Sequence, residues 1–235
     1  MGKRTLLGIV AVTGMLLTSA CAVTVPRTAL GLNDASAAQP PSSAVKSATE
    51  LEDVLSRLRG PYGGVLTLVS AEDLQAAESQ SALEVQHAKV FPEDCVSEPP
   101  ETNAAVRRRL NVAGAAGEGT LHYGVRLLSG SESDLKRIGK DLLVLIPCSD
   151  VRMSVDQQEM MVRITRAAGP HLPQAESWKL TSTNLSSWST DTALVQATVG
   201  TVRVEVAVSG RTGQADVVSL ASRLAERTAN LLRQG

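Results

Sequence analysis

TALVQATVGTVRVEVAV, residues 192–208, decides the fold. Two runs of β-branched and small residues flank Gly200, and in the second run Val202, Val204, Val206 and Val208 alternate with Arg203, Glu205 and Ala207. A period of two places the valines on one face of a strand, so the stretch predicts a β-hairpin whose second strand is half-buried. Past the turn Ser209–Gly213 the period changes. Val217, Ala221, Leu224, Thr228 and Leu231, with Val218, Ala225 and Leu232, recur at helical spacing over about twenty residues. A stripe that wide must cover a sheet, which predicts an α+β domain with its long C-terminal helix packed on the sheet.

Upstream of the hairpin, Gln158–Ala167 and Glu176–Ser182 read as strands, with Met160, Val162 and Ile164, then Trp178 and Leu180, pointing inward. Thr120–Leu128 is a third strand, carrying Leu121, Tyr123, Val125 and Leu127 on one face and His122 and Arg126 on the other. The glycines of GAAGEG (114–119) lack the spacing of a nucleotide fingerprint and read as a flexible loop entering that strand. Ser131-x-x-Asp134 caps a helix presenting Leu135, Ile138, Leu142 and Leu145, and Ser70-x-x-Asp73 caps a shorter one through about Ser79. Residues 82–90 read as a strand. A further helix is expected from Thr49 to Arg59, with Thr49-x-x-Glu52 as its capping box and Gly60-Pro61 as its stop.

The N-terminus has a different character. Lys3 and Arg4 precede an apolar run from Leu6 to Leu17, and Thr18-Ser19-Ala20 leads directly to Cys21. This is the order of a secretory signal, with the cysteine placed as in a bacterial lipoprotein box. The run falls short of the ~20 apolar residues of a membrane span. The expected organisation is a signal peptide over 1–20, a lipidated Cys21 with a Pro- and Ser-containing flexible tether over 21–48, and one extracytoplasmic domain over 49–235. The expected location is the outer face of the cell membrane, held by palmitate-type acyl chains. A soluble secreted form cut near Ala20 is the rival.

Lys3 and Arg4 leave with the signal, so 21 basic residues face 24 acidic ones, a formal charge of −3. That excludes nucleic acid as an expected partner. Phe91, Tyr62, Tyr123, Trp178 and Trp188 are the whole aromatic set, so the core is built from Val, Leu, Ile and Ala. With Cys21 given to lipid, Cys95 and Cys148 remain, and in an oxidising compartment they are expected to pair. Such a bridge would close a loop of roughly 54 residues and stabilise the fold by about 4 kcal/mol.

Signs of catalysis are thin. His87, His122 and His171 are far apart without metal-ligand spacing, and neither a nucleophile elbow nor a phosphate loop is present. No enzyme, metal or cofactor is therefore expected. Arg107-Arg108-Arg109 reads as a solvated face, with an anion site as the alternative. Asn184-Leu-Ser186 matches a glycosylation sequon, which has little meaning behind a bacterial lipoprotein signal.

The order of elements resembles a known family. Ser70-Ala-Glu-Asp-Leu opens a capped helix; a strand and a Pro-rich loop lead to Cys95. A strand, the helix Ser131–Ile146 ending at Cys148, Trp-containing strands, the hairpin and the final helix follow. Over about residues 65–235 this resembles the extracellular sensor domain of mycobacterial PknH-type receptor kinases and the free-standing actinobacterial lipoproteins that carry the same domain. The resemblance implies a central antiparallel sheet flanked by helices and a cleft for a small ligand. It departs from that pattern in having cysteines for one disulfide where the family has two, and in containing no kinase. The expected function is a non-catalytic, sensor-like module binding a small apolar ligand or a cell-wall component, with Trp178 and Trp188 lining the site. The alternative is a structural or adaptor lipoprotein that binds an envelope protein.

Overall fold

The computed structural model describes residues 44–77, 88–95, 109–138, 148–155, 158–184 and 189–235. The expected signal, Cys21, the tether up to residue 43, His87, Arg107, Arg108 and Trp188 lie outside these residues. So do residues 82–87 of one expected strand and 139–146 of one expected helix. In chain order the elements are helix α1 (Ala48–Arg57), strand β1 (Thr67–Val69), helix α2 (71–77) and strands β2 (Lys89–Phe91), β3 (Asn111–Gly117) and β4 (His122–Ser129). Helix α3 (Glu132–Ile138) is followed by strands β5 (Asp150–Val155), β6 (Gln158–Arg166), β7 (Glu176–Asn184), β8 (Ser189–Val199) and β9 (Val202–Arg211), and helix α4 (Val217–Gln234) ends the chain.

The strands form one antiparallel sheet in the order β1-β3-β4-β9-β8-β7-β6-β5-β2. Its edges, β1 and β2, are three residues long, which leaves little unpaired backbone for another chain to extend. The hairpin lies near the centre, with Gly200 in the left-handed region (φ 60°) that its tight turn requires.

Helix α4 lies on the first face of the sheet, as its stripe predicts. Val217, Leu220, Ala221, Leu224, Ala225, Ala229 and Leu232 pack with Val202, Val204, Val206 and Val208, and with Leu121, Tyr123, Val125 and Leu127 of the neighbouring strand. Thr228 is buried in the same stripe because its hydroxyl donates to the Leu224 carbonyl at 2.8 Å. Asp216 caps this helix, accepting from the Ser219 amide. Helix α1 joins the same core through Leu51, Val54 and Leu55. Its start differs from expectation. Ser47, not Thr49, is the cap, and Glu50 closes the box by accepting from the Ser47 amide at 2.7 Å. The hydrogen bonds from the Ser47 backbone and side chain hold the Glu50 carboxyl below the usual range.

Two strands were not expected. Gly114–Gly117 is part of β3 and not a loop: a Cβ on Gly114 would meet the Leu74 side chain, and one on Gly117 would run into the Tyr123 ring. Here glycine marks close approach within a strand. Strand β5 is the second: Val151 and Met153 alternate with Arg152 and Ser154 and face the second-face core. That core contains Met160, Val162, Ile164, Trp178, Leu180, Leu194 and Ala207. Cys95, fully buried, joins Cys148 at its margin through a disulfide spanning 53 positions. A smaller cluster on the same face gathers Leu110 and Leu128 under Leu135 and Ile138 of α3.

Two outcomes check this packing. Gly117→Ala should lower the unfolding free energy by about 1–3 kcal/mol in chemical denaturation, through overpacking against Tyr123; Gly119→Ala, whose Cβ enters open space, should change it little. Alkylation of the unfolded, unreduced protein should label neither Cys95 nor Cys148, and reduction should cost about 4 kcal/mol of stability.

Candidate functional site

The sequence places Arg126, Arg203, Glu205 and Gln196 on the side of their strands away from α4, where a half-buried sheet would leave them in water. They are not in water. Both faces of β9 are covered, and these four residues are between 2 and 7% exposed. Register brings them together: Arg126 of β4, Glu205 of β9 and Gln196 of β8 are direct cross-strand neighbours, and Glu176 of β7 continues the row into solvent. Arg203 lies two residues before Glu205 on the same strand face. The row divides the second-face core into its two clusters, with Trp178, Leu194 and Ala207 on one side and Leu128, Leu135 and Ile138 on the other.

Within the row Glu205 is shared. Arg126 Nε donates to Glu205 Oε2 at 2.7 Å, and its Nη2 reaches the same oxygen at 2.5 Å. Arg203 Nε donates to Oε1 at 3.0 Å. Arg203 Nη2 donates in turn to Gln196 Oε1. This fixes the Gln196 amide with its Nε2 donor turned away, and that donor, buried, has no acceptor. A buried donor left unsatisfied costs about 1–3 kcal/mol.

Gln196 and Arg203 form part of the wall of an open groove between α3 and the β7–β9 strands, with room for about 180 Å³ of solvent. Leu135, Thr198 and the Ala197 backbone supply its remaining floor, and Glu132, Lys136, Gln174 and Glu176 its rim. The rim charges already have partners. Glu132 pairs with Lys136 at 2.6 Å, which holds its carboxyl below the ordinary range, and Glu176 lies 4.0 Å from Arg166. What the groove offers a ligand is therefore the edge of the Arg203–Gln196 pair beside the apolar side chain of Leu135.

Of the two expected site residues, Trp188 is outside the described residues. Trp178 is 5% exposed inside the second-face core, beside the ionic row and not on the groove wall. Arg109, from the basic run, pairs with Asp134 at the start of α3 at 3.6 Å, as a solvated cation would. His122 is exposed, and the backbone amide of His171 donates to Glu226 at 3.0 Å. Among the described residues no group of three His, Cys, Asp or Glu side chains could hold a metal ion. Sequence reasoning missed Gln196, Arg203, Glu205 and Arg126 as a unit. The available signal was two charged residues alternating inside a valine-rich strand at the sheet centre.

Fold and groove together define an α+β domain built on one nine-stranded antiparallel sheet, with a buried ionic row opening into a surface groove. No family model matches the chain, and no curated protein matches it. Solved structures from mycobacteria are similar to it. The extracellular domain of PknH from Mycobacterium tuberculosis matches with 11% identity over 85% of this chain and 100% of that one, at a TM-score of 0.45. An uncharacterized protein of Mycobacterium smegmatis, the Rv0999 ortholog, matches with 13% identity over 82% of this chain and 100% of that one, at a TM-score of 0.43. These likenesses lend the chain neither a ligand nor a role.

The ionic row gives a direct test. Glu205→Gln leaves two buried guanidiniums facing a neutral amide and should destabilise the fold by about 3–5 kcal/mol, read by denaturant unfolding.

Proposed function

We propose that this chain is a non-catalytic, lipid-anchored module on the outer face of the cell membrane, and that it binds a small amphipathic ligand in the groove beside α3. The observation that carries the binding role is the groove itself, in which the Arg203–Gln196 pair of the ionic row meets the side chain of Leu135 while the rim charges at Glu132, Lys136 and Glu176 are already paired. A carboxylate or carbonyl group of the ligand would lie toward the Arg203 guanidinium, whose edge forms part of the wall. Leu135 would receive a short apolar part of the ligand. The groove is small, which favours a compact molecule over a long acyl chain.

The anchor rests on the sequence: the basic start, the apolar run and Cys21 after Ser19-Ala20. Among the described residues no helix is long and apolar enough to cross a membrane. Several acyl chains give stable attachment, since each buried CH₂ adds about 0.8 kcal/mol.

One preparation tests both parts. The full chain, expressed with a clickable fatty-acid probe, should take up label that Cys21→Ala abolishes; an unlabelled wild type overturns the anchor. Native mass spectrometry of the same protein from detergent should show a co-purified small mass. That mass should be missing from Gln196→Leu while the protein remains folded, and a clean apo mass for the wild type overturns the groove reading.

A further inference from the structure

A second hollow lies on the opposite face of the sheet, and nothing in the groove reading uses it. Its walls are Pro61 and Tyr62 on one side and Leu220, Arg223, Leu224 and Arg227 of α4 on the other, around about 260 Å³ of solvent. Three features set it apart from ordinary surface.

The first is charge. Arg223 and Arg227 are four residues apart, so their side chains leave the helix on one face. Like charges at that spacing repel, and neither arginine makes an ion pair or hydrogen bond among the described residues. Cations nearby are treated differently: Arg57 pairs with Asp53 at 3.1 Å, and Arg233 donates to Asn230 at 2.9 Å. Two uncompensated guanidiniums therefore face one cavity.

The second is Tyr62. It is 79% exposed, the most exposed large apolar or aromatic side chain described, and contributes nothing to the core. Its backbone is left-handed (φ 63°, ψ 17°), a conformation that a bulky residue rarely adopts. Glycines at 60, 63 and 64 surround it, yet this position carries a ring. The turn is closed by Gly60 N–H to Gly64 O at 2.8 Å and Gly63 N–H to Gly60 O at 3.1 Å, so the ring is presented from a fixed support.

The third is the floor. Leu220 and Leu224 are 6 and 2% exposed, and Pro61 is buried, so the base of the hollow is apolar and firmly packed.

We infer that this hollow is a binding site for a compact organic phosphate, in which the phosphate lies against Arg223 and Arg227 and a ring stacks on Tyr62. Guanidinium forks match phosphate oxygens in pairs, and two of them suit a group carrying up to two negative charges. A sugar or other flat ring presents C–H edges or a face to the tyrosine, which supplies apolar contact at a small entropic cost. The space is below the roughly 300 Å³ where drug-sized pockets begin, which limits the occupant to about one monosaccharide phosphate. A sugar phosphate free in solution and a phosphorylated lipid headgroup share this chemistry.

The test uses the full-length protein in neutral detergent, followed by ³¹P NMR with glucose 6-phosphate as the soluble probe and phosphatidylinositol in mixed micelles as the headgroup probe. Line broadening with a saturable dependence on protein is expected from one of the two, and whichever binds more tightly identifies the source. Arg223→Gln/Arg227→Gln should weaken that binding at least tenfold without moving the thermal midpoint, because both side chains are solvent-exposed. Tyr62→Ser should weaken it several-fold, and raising the salt concentration should weaken the wild type. Gln196→Leu should leave it unchanged, which separates this site from the groove. No saturable broadening with either probe, or equal affinity in the double-arginine variant, would overturn the assignment.

Discussion

A carboxylate at 2% exposure in the central strand of a sheet is tolerated only because two guanidiniums reach it from the same face. Removing such an ion from water costs several kcal/mol, and the attraction offsets that cost only where the geometry is good. Here the sheet supplies the geometry. Cross-strand register puts Arg126 and Glu205 directly opposite, and the two-residue repeat of β9 puts Arg203 on the same side. The interaction needs β4 and β9 in place and in register. A one-residue slip of β9 against β4 would send Glu205 into the apolar core beneath α4 and bring its valines out beside Arg126. The ionic row therefore favours one pairing of the central strands over its neighbours.

The same row explains why the second face behaves unlike the first. Under α4 the apolar residues of α1, β4, β8 and β9 form one continuous core. On the other face the row interrupts the apolar surface, leaving one cluster around Trp178 and the disulfide and another under α3. Where the row emerges between α3 and the strands, its polar groups cannot be fully covered, and the groove is the consequence. Gln196 is the point of transition. Its Oε1 belongs to the buried network and its Nε2 has no partner within it.

Much of this architecture was legible in residue order. The alternating valines of 202–208 gave the hairpin and its inward face, and the stripe from Val217 to Leu232 gave the covering helix, because both periods are local. Local periodicity could not show whether the polar face of β9 meets water. Arg203 and Glu205 alternate as solvent-facing residues do, and only the presence of α3 and the second-face clusters makes them interior. The glycines of 114–117 misled for a related reason: their meaning lies in Leu74 and Tyr123, which approach from distant parts of the chain. Thr49-x-x-Glu52 and Ser47-x-x-Glu50 are overlapping capping boxes, and sequence alone does not choose between them. The fold chose Ser47 by tying down the residues before it, through Lys46 N–H to Ser129 Oγ at 2.8 Å and Asn111 Nδ2 to the Lys46 carbonyl at 2.9 Å.

That tie also gives the domain a direction. The chain enters beside Ser129 and Thr201, whose hydroxyl donates to the Ala44 carbonyl at 2.7 Å, at the end of β4. Helix α1 then carries it about 15 Å along the sheet. It arrives at the Gly60–Gly64 turn, where Tyr123, near the start of β4, lies within contact of where side chains at both glycines would be. Six residues of strand separate Tyr123 from Ser129, about 20 Å. The point of entry and the Tyr62 turn are thus at opposite ends of the same strand. The hollow between Tyr62 and the α4 arginines therefore lies at the end of the sheet away from where the chain enters the domain.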